Sequence, residues 1–359
     1  MKTQADSIIP EIEKNDSNPQ KNARKLQKPL TLSQKNNPIG KAFAELGDNV
    51  ATEEKQAFRA FFFKGYDDYD IYVRVWDDVT EPKAVILIAH GMVEHGLRYD
   101  EFARFLNKNG YIVVVPDCRG HGRTAGAPDQ VGVYDGDIFN DTVRDNIKLA
   151  DMLRGYYDLP LVAMGHSYGS FITQNFIQNY HNHSAVVLIG SACFKGRLDH
   201  KLGKIVADIT ATCKGKSAPA NMLYNMTFGA YAKSVPDGNW LTHDTEIVKE
   251  YDLDPYCGKI CSAQFYRSFF GGLKRLYRPA GLNMIDKEVP VLITSGKLDP
   301  VAGKKHKMLD KLAPLYKKKG IKDVTYKLWD NGLHEILNET FKQDVFQYIL
   351  DWLNQKLAK

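Results

Sequence analysis

The residues best suited to chemistry lie between Leu159 and Ile172, where a short apolar run ends at Gly165-His-Ser-Tyr-Gly169. This G-x-S-x-G pattern is typical of a nucleophilic serine held on a sharp turn between a strand and a helix. Both glycines are needed because a side chain at either position would collide with the neighbouring strand and helix. We therefore predict that the hydroxyl of Ser167 stands at the top of a sheet as a nucleophile.

A serine hydroxyl needs a base within hydrogen-bond reach, and that base needs an acid to orient it. Asp299 follows a predicted strand at 289–294 and suits the acid, although a turn aspartate before a proline is the alternative. His334 suits the base because it follows the last predicted strand, and a buried structural histidine is its alternative. The other downstream histidine, His306, lies among lysines. The order serine, aspartate, histidine is the one that this template requires.

The chemistry also requires donors aimed at the oxyanion that develops during acyl transfer. The residue after the nucleophile, Tyr168, supplies one backbone N–H, and the loop after a predicted strand at 84–89 supplies the other. That loop begins His90-Gly-Met92, and we assign the second donor to Met92. The small Gly91 lets the backbone approach a substrate carbonyl.

Glu94 and Arg98 follow in the same loop at i,i+4 spacing, which brings two side chains together on a helical turn. We predict a structural ion pair, with contact to a polar head group as the alternative. Under that alternative, Glu94 and Arg98 would contact the substrate, and together with Gly91 they are the candidate substrate contacts.

Strand-like and helix-like runs alternate around these residues, and each candidate follows a strand. The runs at 57–63 and 69–76 predict a hairpin. Alternation of this kind predicts an α/β fold with a mostly parallel sheet covered by helices on both faces, and ligands bind beyond the carboxyl ends of its strands. The remaining predicted strands lie at 84–89, 111–115, 159–164, 185–189, 289–294 and 324–329.

The chain divides into three regions. Residues 1–50 are rich in Asn, Lys, Gln and Ser and predict a disordered or extended tail, with a short helix near Lys41 to Leu46. Residues 51–193 and 284–359 form the predicted core. Residues 194–283 contain no clear strand and predict a helical insertion, or lid, over the active face. Ordinary packing accounts for most of its methionines and aromatic residues, and some of them suit an acyl-chain groove.

Composition excludes several classes of protein. The net charge of +5 over 359 residues is modest, so we predict no nucleic-acid partner. Five scattered cysteines do not form a disulfide framework, and no signal peptide or membrane-length apolar run is present, which predicts a cytoplasmic protein. The lysines at 304, 305, 307 and 317–319 predict a solvated helix face, with weak attraction to anionic lipid surfaces as the alternative.

No cofactor or metal is predicted. His334-Glu335 does not begin a zinc-binding H-E-x-x-H motif because position 338 is Asn, and Cys257 and Cys261 form a lone C-x3-C pair. Phosphate-binding G-x-x-x-x-G-K-[ST] and dinucleotide-binding glycine patterns are missing from the sequence.

Four motifs together resemble the monoacylglycerol lipase and lysophospholipase branch of the α/β-hydrolase fold, a branch that is S33 serine-aminopeptidase-like. The resemblance covers residue 55 to the C-terminus and implies Ser167, Asp299 and His334 as the triad, with Met92 and Tyr168 as oxyanion donors. Asp117-Cys118 and Arg123-Thr124 depart from the pattern of the branch, outside the triad. The motifs are H-G-M-V-E-H-G-L-R-Y at 90–99, D-C-R-G-H-G at 117–122, G-H-S-Y-G at 165–169 and H-E-I-L-N-E at 334–339.

The sequence therefore predicts a serine hydrolase that cleaves the ester of a small single-chain lipid, a monoacylglycerol or lysophospholipid, through an acyl-enzyme. A carboxylesterase or thioesterase for short acyl groups is the enzyme alternative, and a peptidase is a further one. A hydrolase-fold binding protein without catalysis is the alternative from another class.

Overall fold

An eight-stranded sheet runs through the part of the chain that the computed structural model describes, namely Gln34 and residues 37–46, 58–195 and 199–358. The strand order is β1-β2-β4-β3-β5-β6-β7-β8, with β2 antiparallel to both of its neighbours and every other pair parallel. The predicted hairpin and the mostly parallel sheet are confirmed. The strands are β1 (Arg59–Lys64), β2 (Asp70–Trp76), β3 (Ala84–Ala89), β4 (Tyr111–Pro116), β5 (Leu161–His166), β6 (Ala185–Ile189), β7 (Val291–Gly296) and β8 (Val324–Trp329).

The central strands are buried on both faces because their sequences are continuous apolar runs. Alternate residues of one strand enter different cores: Val85 and Leu87 pack on one face, whereas Ile86 and Ile88 pack on the other. Helices cover both faces: α2 (Asp100–Lys108) and α12 (Lys342–Leu357) on the Ile86 side, and α3 (Ile138–Tyr157) and α4 (Tyr168–Asn179) on the Val85 side.

The short helix predicted within the tail is present as α1 (Pro38–Leu46). It is held against the core by fully buried Ile39 and by the side-chain amides of Gln34 and Asn37. These amides donate to the carbonyls of Tyr156 (2.8 Å) and Met152 (3.0 Å) in α3. This part of the predicted tail is therefore folded onto the core, and the rest of the tail lies outside the described residues.

Six helices occupy the segment between β6 and β7, where the sequence predicts a helical insertion. Among its described residues the only strand-like pairing is a bridge between Pro219 and Ser262. α9 forms its core, with Phe265, Tyr266 and Phe269 buried, and packs against α5, α3 and α4. The helices are α5 (Asp199–Lys214), α6 (Asn221–Met226), α7 (Phe228–Ala232), α8 (Thr245–Leu253), α9 (Ala263–Leu276) and α10 (Pro279–Met284).

The prediction that the lysines at 304, 305 and 307 lie on a helix face is wrong. Lys304–His306 form a single 3-10 turn in which Lys305 and His306 have positive φ, so this segment cannot continue as a helix. Lys317 and Lys318 end α11 (Leu312–Lys318). In the described part of the chain, no helix is both long and apolar enough to cross a membrane.

Candidate active site

Ser167 stands on the turn between the end of β5 and the start of α4. Its backbone has φ 52° and ψ −119°, a conformation that is sterically unfavourable for a non-glycine residue. A hydrogen bond to the neighbouring strand holds this backbone conformation: the Ser167 N–H donates to the carbonyl of Ile189 at the end of β6 (2.9 Å). The predicted strand, turn and helix therefore surround the predicted nucleophile.

The elbow, the turn at residues 165–169 that carries Ser167, needs both of its glycines because of close packing. A Cβ on Gly169 would overlap the carbonyl of Ala89 at the end of β3, and a Cβ on Gly165 would overlap the carbonyl of Gly169 and the hydroxyl of Thr173. The predicted collisions with the neighbouring strand and helix are thus present.

Asp299 and His334 lie side by side beyond the ends of β7 and β8. Nδ1 of His334 is 3.0 Å from Oδ1 of Asp299, and both side chains are almost completely buried. The Asp299 carboxylate also accepts hydrogen bonds from the hydroxyl of Ser295 (2.6 Å) and the N–H of Val301 (2.8 Å). Burial favours a higher pKa for Asp299, but His334 and these donors outweigh it and keep the pKa below its usual value. Asp299 therefore remains an anion that can orient an imidazole.

The imidazole of His334 leaves its second nitrogen free. Among the described residues no group bonds Nε2, which is buried. The ring lies next to the indole of Trp240, with centroids 5.0 Å apart, and 3.0 Å separates Cε1 from the position that a Cβ on Gly190 would occupy. Because Gly190 follows Ile189, whose carbonyl accepts the Ser167 N–H, the imidazole lies beside the elbow, with Nε2 unpaired among the described residues.

The loop after β3 is held in shape by the carboxylate of Glu94. Its oxygen Oε1 accepts a hydrogen bond from the N–H of Gly91 and another from the hydroxyl of Tyr99 (2.9 Å). Because the Gly91 N–H is engaged in this way, it cannot serve a substrate, which favours Met92 as the donor of this loop. Val93 has φ 52°, an unusual backbone for a β-branched residue, so the loop is strained directly after Met92.

Arg98 joins this loop to the residue that follows the catalytic histidine candidate. Its guanidinium pairs with Glu94 and makes two hydrogen bonds of 2.7 Å to the carboxylate of Glu335. Burial favours a lower pKa for Arg98, but the two carboxylates outweigh it and raise the pKa well above its usual value. Glu94 and Arg98 thus form the ion pair that their spacing predicts. They do not line the large cavity described below, and contact with a substrate stays a prediction for them and for Gly91.

His166, the residue before Ser167, is a buried neighbour of the site that was not among the predicted site residues. Its ring is 3.4 Å from the Glu94 carboxylate through Nδ1 and 3.3 Å from the His334 carbonyl through Nε2. Burial favours a lower pKa for His166, yet the adjacent Glu94 raises the pKa above its usual value. His166 therefore links the loop after β3 to the loop that carries His334.

Glu335, which pairs with Arg98, and Ser295, which donates a hydrogen bond to Asp299, were also not predicted from the sequence. The only available signal was their position, next to His334 in one case and four residues before Asp299 in the other. Such proximity along the chain does not reveal which buried partner a side chain meets.

A cavity of about 300 Å³ opens at Ser167 between the sheet and the helical segment 199–284. Met92 and Tyr168 line it beside Ser167, and α4 begins at Tyr168, so the N–H of this residue has no partner within the helix. None of the described lining residues is charged. The others are aromatic, aliphatic or small: Phe171, Phe194, Gly203, Leu223, Met226, Thr227, Phe228, Tyr231, Trp240, Tyr266, Phe269, Phe270, Pro300, Val301 and Met308.

Comparison with known proteins yields one family. A family model described as serine aminopeptidase, S33, matches residues 80–341. The monoacylglycerol lipase of Mycolicibacterium smegmatis is 29% identical over 298 residues, which cover 81% of this chain and 95% of that protein. The monoglyceride lipase of Homo sapiens is 28% identical over 304 residues, which cover 81% of this chain and 89% of that protein.

Solved structures share the fold. A soluble variant of the monoglyceride lipase from Saccharomyces cerevisiae, in complex with a substrate analog, superposes with a TM-score of 0.65 at 20% identity, over 84% of this chain and 97% of that one. A carboxyl esterase from Bacillus coagulans in complex with glycerol superposes with a TM-score of 0.75 at 21% identity, over 84% of this chain and 99% of that one. At these identities the structures support the fold alone.

The chain belongs to the serine aminopeptidase S33 family, and its fold is the α/β-hydrolase fold. It is a serine hydrolase related to monoacylglycerol lipases. The resemblance and the fold class predicted from the sequence are confirmed.

Proposed function

We propose that this protein hydrolyses the acyl ester of a single-chain lipid, either a monoacylglycerol or a lysophospholipid. The observation that carries this proposal is the uncharged, largely aromatic cavity that opens at Ser167. An alkyl chain gains most from apolar lining, and flexible methionines and flat rings adapt to it. The relatives named monoacylglycerol lipase support an ester as the scissile group.

The proposed reaction has two halves. Ser167 Oγ attacks the ester carbonyl carbon while Nε2 of His334 takes the hydroxyl proton, and Asp299 holds the resulting imidazolium. The N–H groups of Met92 and Tyr168 stabilise the negative oxygen. The tetrahedral intermediate then collapses and expels the alcohol, which takes the proton from His334. An acyl-serine remains. Water then attacks this ester while Nε2 of His334 takes its proton, and the fatty acid leaves as Ser167 Oγ takes that proton back from His334.

The cavity separates this proposal from a peptidase that recognises a free amino terminus. A protonated amine in an uncharged site would need a carboxylate partner to offset its lost hydration. None of the described residues that line the cavity carries one. The acyl chain and the ester group of a single-chain lipid carry no charge and therefore fit this lining better.

We further propose that α5 brings the enzyme to a lipid surface. Leu202, Ile205 and Ile209 are more than half exposed on this helix and recur at intervals of three and four residues, which places them on one face. Gly203 of the same helix lines the cavity. The segment 199–284 would then act as a lid with its apolar face toward the lipid. Because the lysine-rich turn at 304–306 does not form the predicted helix face, α5 is the better surface for this contact.

The test of the proposed function is a lipid panel assayed with the wild type and with Ser167→Ala. It includes monoacylglycerols, lysophosphatidylcholines, short-chain p-nitrophenyl esters, an acyl thioester and an aminoacyl nitroanilide. We expect long-chain monoesters to be the best substrates, and Ser167→Ala to lower their turnover by at least about 10³-fold. The matched control is Ser217→Ala, which removes an exposed hydroxyl.

Several results would contradict the proposal. Undiminished turnover by Ser167→Ala would remove this serine from the mechanism. Preference for the short esters or the thioester would favour the esterase and thioesterase alternatives, and preference for the nitroanilide would favour a peptidase. If a fluorophosphonate probe failed to label Ser167, a binding protein without catalysis would be favoured.

A further inference from the structure

Three potential metal ligands meet away from Ser167, at the junction of the loop after β3 with the helical segment 199–284. They are His95, Asp254 and Cys257, and one donor atom of each lies within 4.8 Å of the other two. His95 and Cys257 are buried, and Nε2 of His95 is 2.7 Å from a carboxylate oxygen of Asp254. Around a tetrahedral Zn²⁺, ligand atoms lie about 3.3 to 3.6 Å apart, so small side-chain adjustments would bring the three donors to one ion.

One further observation indicates a ligand at this cluster. A second cavity, of about 180 Å³, is lined by all three residues, which gives an ion a path and leaves room for water. A closed structural hydrogen bond between His95 and Asp254 would not explain a cavity at this cluster.

We propose that His95, Asp254 and Cys257 form a Zn²⁺-binding site with water as the fourth ligand. An imidazole, a carboxylate and a thiolate are the ligand types that zinc takes in proteins, and a thiolate makes Mg²⁺ or Ca²⁺ a poor occupant. Arg98 lines the same cavity, but its charge is balanced by Glu94 and Glu335 and does not leave an unpaired cation beside the ion.

The position of the site gives the metal a structural consequence. Asp254 and Cys257 belong to the segment that follows α8, and both this segment and α8 itself already contact the strained loop after β3. The N–H of Gly258 (3.0 Å) and the hydroxyl of Tyr251 (3.3 Å) both donate to the carbonyl of Val93, next to Met92. Zinc would therefore tie the helical segment to the loop that carries the proposed oxyanion donor. The proposal goes beyond the proposed function, because the site would bind zinc whatever substrate the enzyme cleaves.

The test uses the full chain without a histidine tag, stripped of metal and titrated with Zn²⁺ against a chromophoric chelator. We expect one equivalent bound, with affinity lowered more than tenfold in Cys257→Ser and in His95→Gln. Cys213→Ser removes an exposed cysteine outside the cluster and should bind as the wild type does. Co²⁺ in place of zinc should give a thiolate charge-transfer band that Cys257→Ser loses, and zinc should raise the Tm of the wild type but not of Cys257→Ser.

Two outcomes would overturn the proposal. Stoichiometric binding that survives both cluster substitutions would place the ion elsewhere. If the wild type bound no more zinc than Cys257→Ser, the cluster would be only a hydrogen-bonded contact. If His95→Gln failed to fold, the cobalt charge-transfer band of the wild type and the zinc affinity of Cys257→Ser would still distinguish a zinc site from a hydrogen-bonded contact. Ser167→Ala, which abolishes the proposed hydrolysis, should bind zinc normally, so the two proposals can fail separately.

Discussion

The guanidinium of Arg98 forms two parallel hydrogen bonds, each 2.7 Å long, with the carboxylate of Glu335, although 237 residues separate the two positions. Because Glu335 directly follows His334 and Arg98 also pairs with Glu94, one buried cation joins the loop of the proposed oxyanion donor to the loop of the proposed base. The proposed catalytic geometry would therefore depend on residues that do not line the cavity at Ser167.

Replacing Arg98 by alanine should weaken both folding and turnover. The change leaves the buried carboxylates of Glu94 and Glu335 without their cation, and breaking such a buried pair costs about 3–5 kcal/mol of unfolding free energy. Urea denaturation and kcat measure the two effects. The matched control is Arg104→Ala, which breaks a more exposed i,i+4 pair with Asp100 and should cost less than about 1 kcal/mol. Equal losses in the two variants would contradict a special role for Arg98.

The stabilisation due to Glu335 should depend on pH. Burial favours a higher pKa for Glu335, but Arg98 outweighs it and lowers the pKa below the ordinary value of 4.5. A lowered pKa in the folded state contributes stability above the ordinary pKa, and this contribution is lost as pH falls through the folded-state pKa.

Urea titrations of the wild type and Glu335→Gln at a series of pH values test this dependence. The difference in unfolding free energy should be greatest near neutral pH and should narrow below about pH 4.5, because protonated glutamate resembles glutamine. Glu81→Gln replaces an exposed carboxylate and should show no such narrowing. A difference in unfolding free energy that stayed constant down to the pH of acid unfolding would argue against an ionised Glu335.

Gly169→Ala should disable the elbow. The added methyl group would overlap the carbonyl of Ala89 and force the backbone apart, because no flexible side chain is there to yield. Overpacking of this kind costs about 1–3 kcal/mol, and turnover should fall by more than about 100-fold because a misplacement of about 1 Å is enough for that loss. Gly229→Ala, at a helix position where an added Cβ would make only ordinary contacts of 3.5 Å or longer, is the control and should behave as the wild type does. Normal ester hydrolysis by Gly169→Ala would contradict the role of the elbow.

Met226→Trp should shift the preference for acyl-chain length. Met226 lines the cavity, yet its side chain is 44% exposed, so a larger residue can narrow the acyl site without disturbing the core. We expect kcat/KM for long-chain esters to fall about tenfold or more while short-chain esters change little, since one or two excluded methylenes are worth about 1–3 kcal/mol. Met226→Leu serves as the size-matched control. A uniform loss across all chain lengths would indicate that this cavity does not hold the acyl chain.

Ile205→Glu and Ile209→Glu should reduce binding to lipid vesicles. Both side chains are exposed on one face of α5, and a charge there opposes insertion into the lipid interface. Co-sedimentation with phosphatidylcholine vesicles measures the loss, while hydrolysis of a soluble short-chain ester should be retained. Leu253→Glu is the control because Leu253 is exposed at the end of α8 and not on α5. If all three variants bound vesicles as the wild type does, α5 would not be the lipid-facing surface.

Much of the fold was predictable because its determinants are local. The runs at 84–89 and 185–189 coincide with β3 and β6, since a continuous apolar run between turn residues has few other ways to be buried. The mixed run at 324–329 coincides with β8. The elbow was equally clear: its two glycines are required by contacts with the adjacent strand and helix. The lysine-rich segment 304–307 was predicted wrongly because positive φ at Lys305 and His306 ends the helical path, and side-chain composition does not reveal that.

The sequence by itself therefore determined the strands, the elbow and the order in which the candidate nucleophile, acid and base occur along the chain. Only the tertiary structure decided which distant side chains meet: Arg98 with Glu335, His166 with Glu94, and His95 with Asp254 and Cys257. Local patterns report the burial and backbone preference of each segment. Partnerships across 70 to 240 positions depend instead on how the loops and the helical segment 199–284 pack onto the sheet, and no spacing along the chain encodes that packing.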